Sequence, residues 1–170
     1  MKIKQRGLKR KCAGFIRRIT EETETFPQPH DGDGYWHLHL PVGRDFIHSA
    51  STRTGIRRLC VQTLINRAQH LVSIAPPGTP PVRVVVAVSW PDFWPSQIII
   101  FFNPEYFDNF FSRNTEAQCW TRLPQNRSLI HEWNISIPDE FSECGYLEEI
   151  NDEDDNYKGE MWFIGQLTAG

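Results

Sequence analysis

Two short apolar runs and the stretch that joins them constrain this chain more than any other feature. Val82–Val88 and Gln97–Phe102 are rich in β-branched residues and nearly continuous in apolar ones, the pattern of strands covered on both faces. Between them lies Trp90–Ser96 (WPDFWPS). A parallel pair needs a crossover of roughly a dozen residues or more, so a link this short predicts an antiparallel pair. Such a pair needs an apolar layer above it, and the strongest helix signal in the chain supplies one. Over 54–74, Ile56, Leu59, Cys60, Leu64, Leu71 and Ile74 lie on one side, widened by Val61, Ile65 and Val72, while Arg58, Gln62, Asn66 and Gln69 fill a narrow polar arc. A helix so apolar is expected to be mostly buried. Ala75–Pro81 (APPGTPP) ends it, because prolines so placed can continue neither a helix nor an inner strand.

The remaining segments extend this picture. Leu8, Cys12, Phe15, Ile16 and Ile19 share one face of an N-terminal helix, at i, i+4, i+7, i+8 and i+11, with basic residues on the remaining arc. Pro27, Pro29, Gly32 and Gly34 mark residues 20–34 as a loop. Tyr35–Val42 alternates as a strand, with Trp36, Leu38, Leu40 and Val42 on one face and Tyr35, His37 and His39 on the other. Asn103-Pro104-Glu105 reads as the start of a short helix through Ser112, and another is expected over Ser128–Trp133. Strands near Gly145–Ile150 and Glu160–Leu167 are expected to be joined by an acidic loop, 151–158. The fold class that follows is α+β: a mostly antiparallel sheet with a long helix on one face and an N-terminal basic amphipathic helix. The length of 170 residues suits one domain over 1–170, with residues 1–7 fraying.

Charge is segregated along the chain. The first twenty residues carry Lys2, Lys4, Arg6, Lys9, Arg10, Lys11, Arg17 and Arg18 and no acid. Residues 139–160 carry ten acids against the single base Lys158, so the formal net charge of −3 conceals a strongly dipolar molecule. The N-terminus lacks the apolar stretch of a secretory signal, and the apolar runs are too short to span a bilayer. Cys12, Cys60, Cys119 and Cys144 are scattered without zinc-site spacing. A cytoplasmic protein with reduced thiols, no cofactor and no membrane association is the expectation.

Catalytic signatures are sparse. His37 and His39 place two imidazoles on one strand face, a spacing that metals use, but a third ligand would have to come from Asp31, Asp33, His48 or a distant segment. The stretch His30–Gly34 lacks the oxygen ligands of a calcium loop. No nucleophile elbow or phosphate-binding glycine loop is present. Cys12 and Cys60 lie on apolar helical stripes and read as buried thiols. Arg67 falls in the apolar arc of the long helix, where a charge is costly unless paired. It is expected to be mostly buried, with a carboxylate from the sheet or backbone carbonyls within hydrogen-bonding reach, the alternative being an anion-binding cluster with Arg53 and Arg57.

With these segments in view, Tyr35–Pro41 (YWHLHLP), Arg57–Leu71, Arg83–Phe101, Tyr106–Asn114 and Asp152–Leu167 (DEDDNYKGEMWFIGQL) resemble a small bacterial family of uncharacterised proteins, a domain of unknown function. The resemblance runs from about residue 5 to the end, and its most specific element is the acidic run leading into Trp162-Phe163-Ile164-Gly165. It implies a bacterial cytoplasmic single domain and assigns no catalytic residue.

Three functions follow. The first is a non-catalytic cytoplasmic binding protein, an immunity protein that neutralises an antibacterial toxin through an acidic surface. Asp152, Glu153, Asp154 and Asp155 would meet a basic protein partner, with Tyr157 and Tyr146 as flanking anchors. The second is a metal-dependent or acid–base hydrolase using His37 and His39. The third is an RNA- or ribosome-associated factor using the basic N-terminal helix. Against nucleic acid stand the acidic overall charge and a helix whose bases encircle it rather than line one face, without the interleaved aromatic that stacking requires.

Overall fold

A computed structural model describes residues 5–29, 34–39, 54–90, 96–103, 105, 120–122, 133–136, 138, 144–151 and 156–169. Among these residues two helices, α1 (Gln5–Glu22) and α2 (Thr54–Ser73), accompany six strands. These are β1 (Tyr35–His39), β2 (Val82–Trp90), β3 (Ser96–Phe101), β4 (Trp120–Arg122), β5 (Cys144–Asn151) and β6 (Asn156–Ala169). The strands form one sheet in the order β1-β3-β2-β6-β5-β4, and every neighbouring pair is antiparallel. The fold is α+β, as the patterning predicts. The expected inner pair is present: Val84 stands opposite Ile100 and Val86 opposite Ile98.

Alternation along the strands explains the two layers. Val82, Val84, Val86, Ile98, Ile100 and Leu38 join Val61, Leu64, Ile65, Ala68 and Leu71 of α2 in one core. Leu64 and Leu71 are buried, as a helix lying across the sheet requires. Val85, Ile99 and Phe101 occupy the intervening positions and are also buried, so both faces of the central strands are dry. On that second face Tyr35 packs against His37, their ring centroids 5.7 Å apart, and lies near Phe101. At the end of α2 the chain turns through Pro76–Thr79. Here Gly78 takes φ +82 and the Thr79 amide donates to the Pro76 carbonyl, a turn whose third position favours glycine.

The helix α1 packs on α2 through Cys12, Phe15 and Ile19, all buried. Its charges run against its own dipole: there is no acid in the first turn, and Glu21 and Glu22 stand where a cation would be favoured. The missing cation comes from α2. Arg67 donates from Nε to Thr23 Oγ1 at 2.7 Å and from a terminal nitrogen to the Thr23 carbonyl at 2.6 Å. Thr23 is fully buried, and its hydroxyl in turn donates to the Ile19 carbonyl at 2.6 Å.

Several expectations change here. Arg67 is half-buried rather than mostly buried, and of its expected partners it takes a backbone carbonyl, that of Thr23 at the end of α1, rather than a sheet carboxylate. Leu59, read as part of the apolar side of α2, is 52% exposed because at 100° per residue it lies roughly 160° from the centre of the buried stripe of Cys60, Val61, Leu64, Ile65, Ala68 and Leu71. The bases of α1, Arg6, Lys9, Arg10, Lys11, Arg17 and Arg18, leave the stripe of Cys12, Phe15 and Ile19 clear. At 100° per residue they fall within roughly 200° of arc, and Arg10, Lys11, Arg17 and Arg18 are exposed. The acidic connection is shorter than 151–158, since Asn151 already pairs with Asn156. The strand β4 was not expected. The predicted continuation of β1 through Val42 lies outside the described residues, as does most of the predicted helices 103–112 and 128–133.

A second attachment to α2 comes from residues 133–136. Trp133 and Ile135 enter the core, and the Gln62 side-chain amide pairs with the backbone of Ser136 in both directions, at 3.0 Å each. Asn134, between the two buried residues, takes φ 51, a conformation asparagine tolerates better than most side chains. No helix among the described residues is long and apolar enough to cross a membrane.

Candidate functional site

The β5–β6 hairpin is the element that carries the acidic run. Its ladder extends from Cys144↔Phe163 to Asn151↔Asn156. Its partner strand β2 stops short: the last β2–β6 pair is Trp90↔Glu160. Beyond it, Glu148↔Gly159, Glu149↔Lys158, Ile150↔Tyr157 and Asn151↔Asn156 continue with no β2 residue alongside. At 3.3–3.4 Å per residue, these four pairs carry the hairpin roughly 13 Å past the last β2–β6 pair, with no described residue of β2 beside them. Asp152, Glu153, Asp154 and Asp155 connect the two strands at its far end and themselves lie outside the described residues.

The two tyrosines are placed by register. Tyr157 stands opposite Ile150, one step from the terminal pair, and Tyr146 stands opposite Met161. Because directly opposed residues share a face and faces alternate, positions 146, 150, 157 and 161 form one row. Positions Trp120 and Arg122 of β4, opposite Glu148 and Tyr146, extend that row to the sheet edge. A register shift decides which face this is. Gly165 pairs with Val86 but Phe163 with Ala87, leaving Ile164 as an extra residue. This β-bulge reverses the parity of β6 relative to β2. Tyr157, Met161 and Phe163 therefore lie in the row of Ala87 and Val85, on the face away from α2. Without the bulge they would fall on the helix side. The bulge and β4 went unread because a strand of three residues and a single inserted position leave no periodic trace.

The histidine pair is placed less productively. His37 is half-buried, with its ring edge-on to Tyr35 at an interplanar angle of 69°. His39 pairs with Ser96 across a second register shift. Asp31, Asp33 and His48, the nearest third ligands in sequence, lie outside the described residues. Among the described residues no three histidine, cysteine, aspartate or glutamate side chains are grouped to hold a metal ion. A shallow groove of about 410 Å³ runs beside the start of α2, lined by Gly55, Arg58, Leu59, Gln62, Asn134 and Ser136. Nothing in that lining pairs a nucleophile with a base.

Arg67 is committed to the end of α1, and burial pushes its guanidinium below its ordinary value while the charge of Glu24 opposes the shift. Arg53 and the side chain of Arg57, the other members of the expected arginine cluster, lie outside the described residues.

The family model described as "Protein of unknown function (DUF3916)" matches residues 16–166, most of the chain. The chain belongs to that family. The match begins inside α1, so the first half of that helix lies outside it, a shorter span than the resemblance from residue 5 implies. The paired β5–β6 ladder, the bulge and the acidic run all lie within the family's span, which ends three residues before β6 does. No curated protein and no solved structure matches the chain.

Proposed function

We propose that this member of the family is a non-catalytic binding protein that captures a basic protein partner, with the chemistry of an immunity protein directed at an antibacterial toxin. The observation that supports the reading is the register of β5 and β6. The ladder runs past the last β2–β6 pair to Asn151↔Asn156, and Asp152–Asp155 are the residues that link those two in sequence. Four successive carboxylates in such a link give a negative potential that steers a basic surface into contact. Tyr157 and Tyr146, in one row of the same ribbon, then supply anchor positions that govern dissociation.

The test is a protection and capture assay using the wild-type chain and a variant with Asp152, Asp154 and Asp155 changed to Asn and Glu153 to Gln. The wild type is expected to protect cells from the toxin. The variant is expected to associate with it at least about tenfold more slowly, with a flatter salt dependence. Tyr157→Ala is expected to raise the dissociation rate instead. Full protection by the neutral variant, with protection lost in His37→Ala or His39→Ala, overturns the reading in favour of a hydrolase.

A second reading has an observation of its own. Arg10, Lys11, Arg17 and Arg18 are exposed on one arc of α1, whose apolar face is occupied by α2. Such an arc suits a phosphate backbone, and RNA affinity through it would fall with salt by a log–log slope of about −3 if all four contacted phosphates.

A further inference from the structure

We propose that Cys12 and Cys60 form a redox modification site, at which a peroxide converts the pair to a disulfide that fixes α1 to α2. The proposal is independent of the partner-binding reading. The two residues stand 48 positions apart in sequence, yet their Sγ atoms lie 3.6 Å apart in the seam between the helices. Both are free thiols and both are buried, at 5% and 0% exposure. Closing the gap to a bond of about 2.05 Å asks the two sulfurs to move by roughly 1.5 Å, within reach of side-chain rotation.

Packing of two small apolar side chains would account for burial, but it does not require sulfur to meet sulfur. The place of the pair in the fold also matters. The helix α1 is attached to the domain chiefly through α2, and α2 rests on β2, β3 and β6. A bond at this seam therefore ties the outermost layer, with its exposed bases, to the body of the molecule.

The chemistry balances with one peroxide. The Cys12 sulfur attacks a peroxide oxygen and the O–O bond breaks. The departing oxygen leaves as water, and Cys12 becomes a sulfenic acid. The Cys60 sulfur then attacks the Cys12 sulfur, the S–O bond breaks, and a second water leaves with the Cys60 proton. Two thiols are oxidised by two electrons in all, and hydrogen peroxide is reduced to two waters. Cys12 is the first to react because it is the less buried of the two and belongs to the outer helix. Burial, reinforced by Cys12, pushes the Cys60 thiol up and keeps it protonated, so the closed seam resists oxidation until α1 opens locally.

The experiment treats the folded full-length chain with hydrogen peroxide, blocks remaining thiols with an alkylating reagent in denaturant, and maps peptides without reduction. A Cys12–Cys60 peptide that disappears on reduction is expected, with a Tm raised on the order of 10 °C relative to the reduced protein. Both effects should be lost in Cys12→Ser and in Cys12→Ala, and both kept in the Cys119→Ser/Cys144→Ser double variant. The map is read on the wild-type protein, so an unstable variant does not obscure the result. Recovery of Cys12 and Cys60 as free alkylated thiols would overturn the proposal. So would their linkage to Cys119 or Cys144.

Discussion

At the scale of single residues, Cys60 shows how a side chain that titrates only at alkaline pH becomes a stability determinant. Its thiol is held above the ordinary value of 9.0, first by burial and then by Cys12. The folded state therefore keeps a proton that the unfolded chain releases above about pH 9, and stability must fall as pH rises past that point. The contribution is intact below pH 9 and is lost progressively on the way to the folded-state value. Urea unfolding of the wild type and of Cys60→Ala, followed from neutral pH to about pH 10, reads this out. Cys60→Ala is expected to be the less stable at neutral pH because it leaves a cavity. Above pH 9 the gap should narrow by up to about 1.4 kcal/mol per pH unit. A gap that stays constant over that range would show that Cys60 exposes its proton in the folded state.

Between elements, the most consequential contact is the one Arg67 makes from α2 to the end of α1. It fills two acceptors on Thr23 at once and brings positive charge to a helix terminus that carries Glu21 and Glu22. Arg67→Ala is expected to lower stability by about 1.5–3 kcal/mol, the range for hydrogen bonds from a charged donor. Arg67→Lys should recover only part of this, because an ammonium cannot span both acceptors with the same fork. Combined with Thr23→Val, the urea midpoints should be non-additive, the sign of a shared interaction. Additive midpoints would separate the two residues. Arg67 also marks what the sequence makes legible. The anomaly is visible, a charge in an apolar arc, but the partner sits forty-four positions away on another helix and no spacing rule reaches it. The helices α1 and α2 and the pair β2–β3 are readable because their periodicity persists over many residues. The β5–β6 hairpin is readable as two strands and an acidic link. Its face is not, because the parity change depends on one residue, Ile164, whose pairing only the assembled sheet defines. The meeting of Cys12 and Cys60 is hidden for the same reason as the Arg67 partner.

At the scale of the whole molecule, the sheet is joined by its last strand. Neighbours β1, β3 and β2 lie on one side of β6, and β5 and β4 lie on the other. No described strand pairing other than those of β6 links the two groups. A chain cut after residue 155 is therefore expected to lose the cooperative urea transition while keeping some helical far-UV signal. A sharp transition in that fragment would show that β1–β3–β2 with its helices stands alone. The arrangement has a further consequence, for synthesis. Until β6 has cleared the ribosome, the nascent chain holds two sheet fragments, and β2 and β5 each present a bare edge of hydrogen-bonding groups to any passing strand. The pairing that hides the β2 edge joins segments some eighty residues apart, a slow class of contact to form, whereas β5 is covered by its own hairpin partner. The interval between making β2 and making β6 is thus when this protein is most exposed to aggregation, and when a chaperone that shields strand edges would have the largest effect on yield.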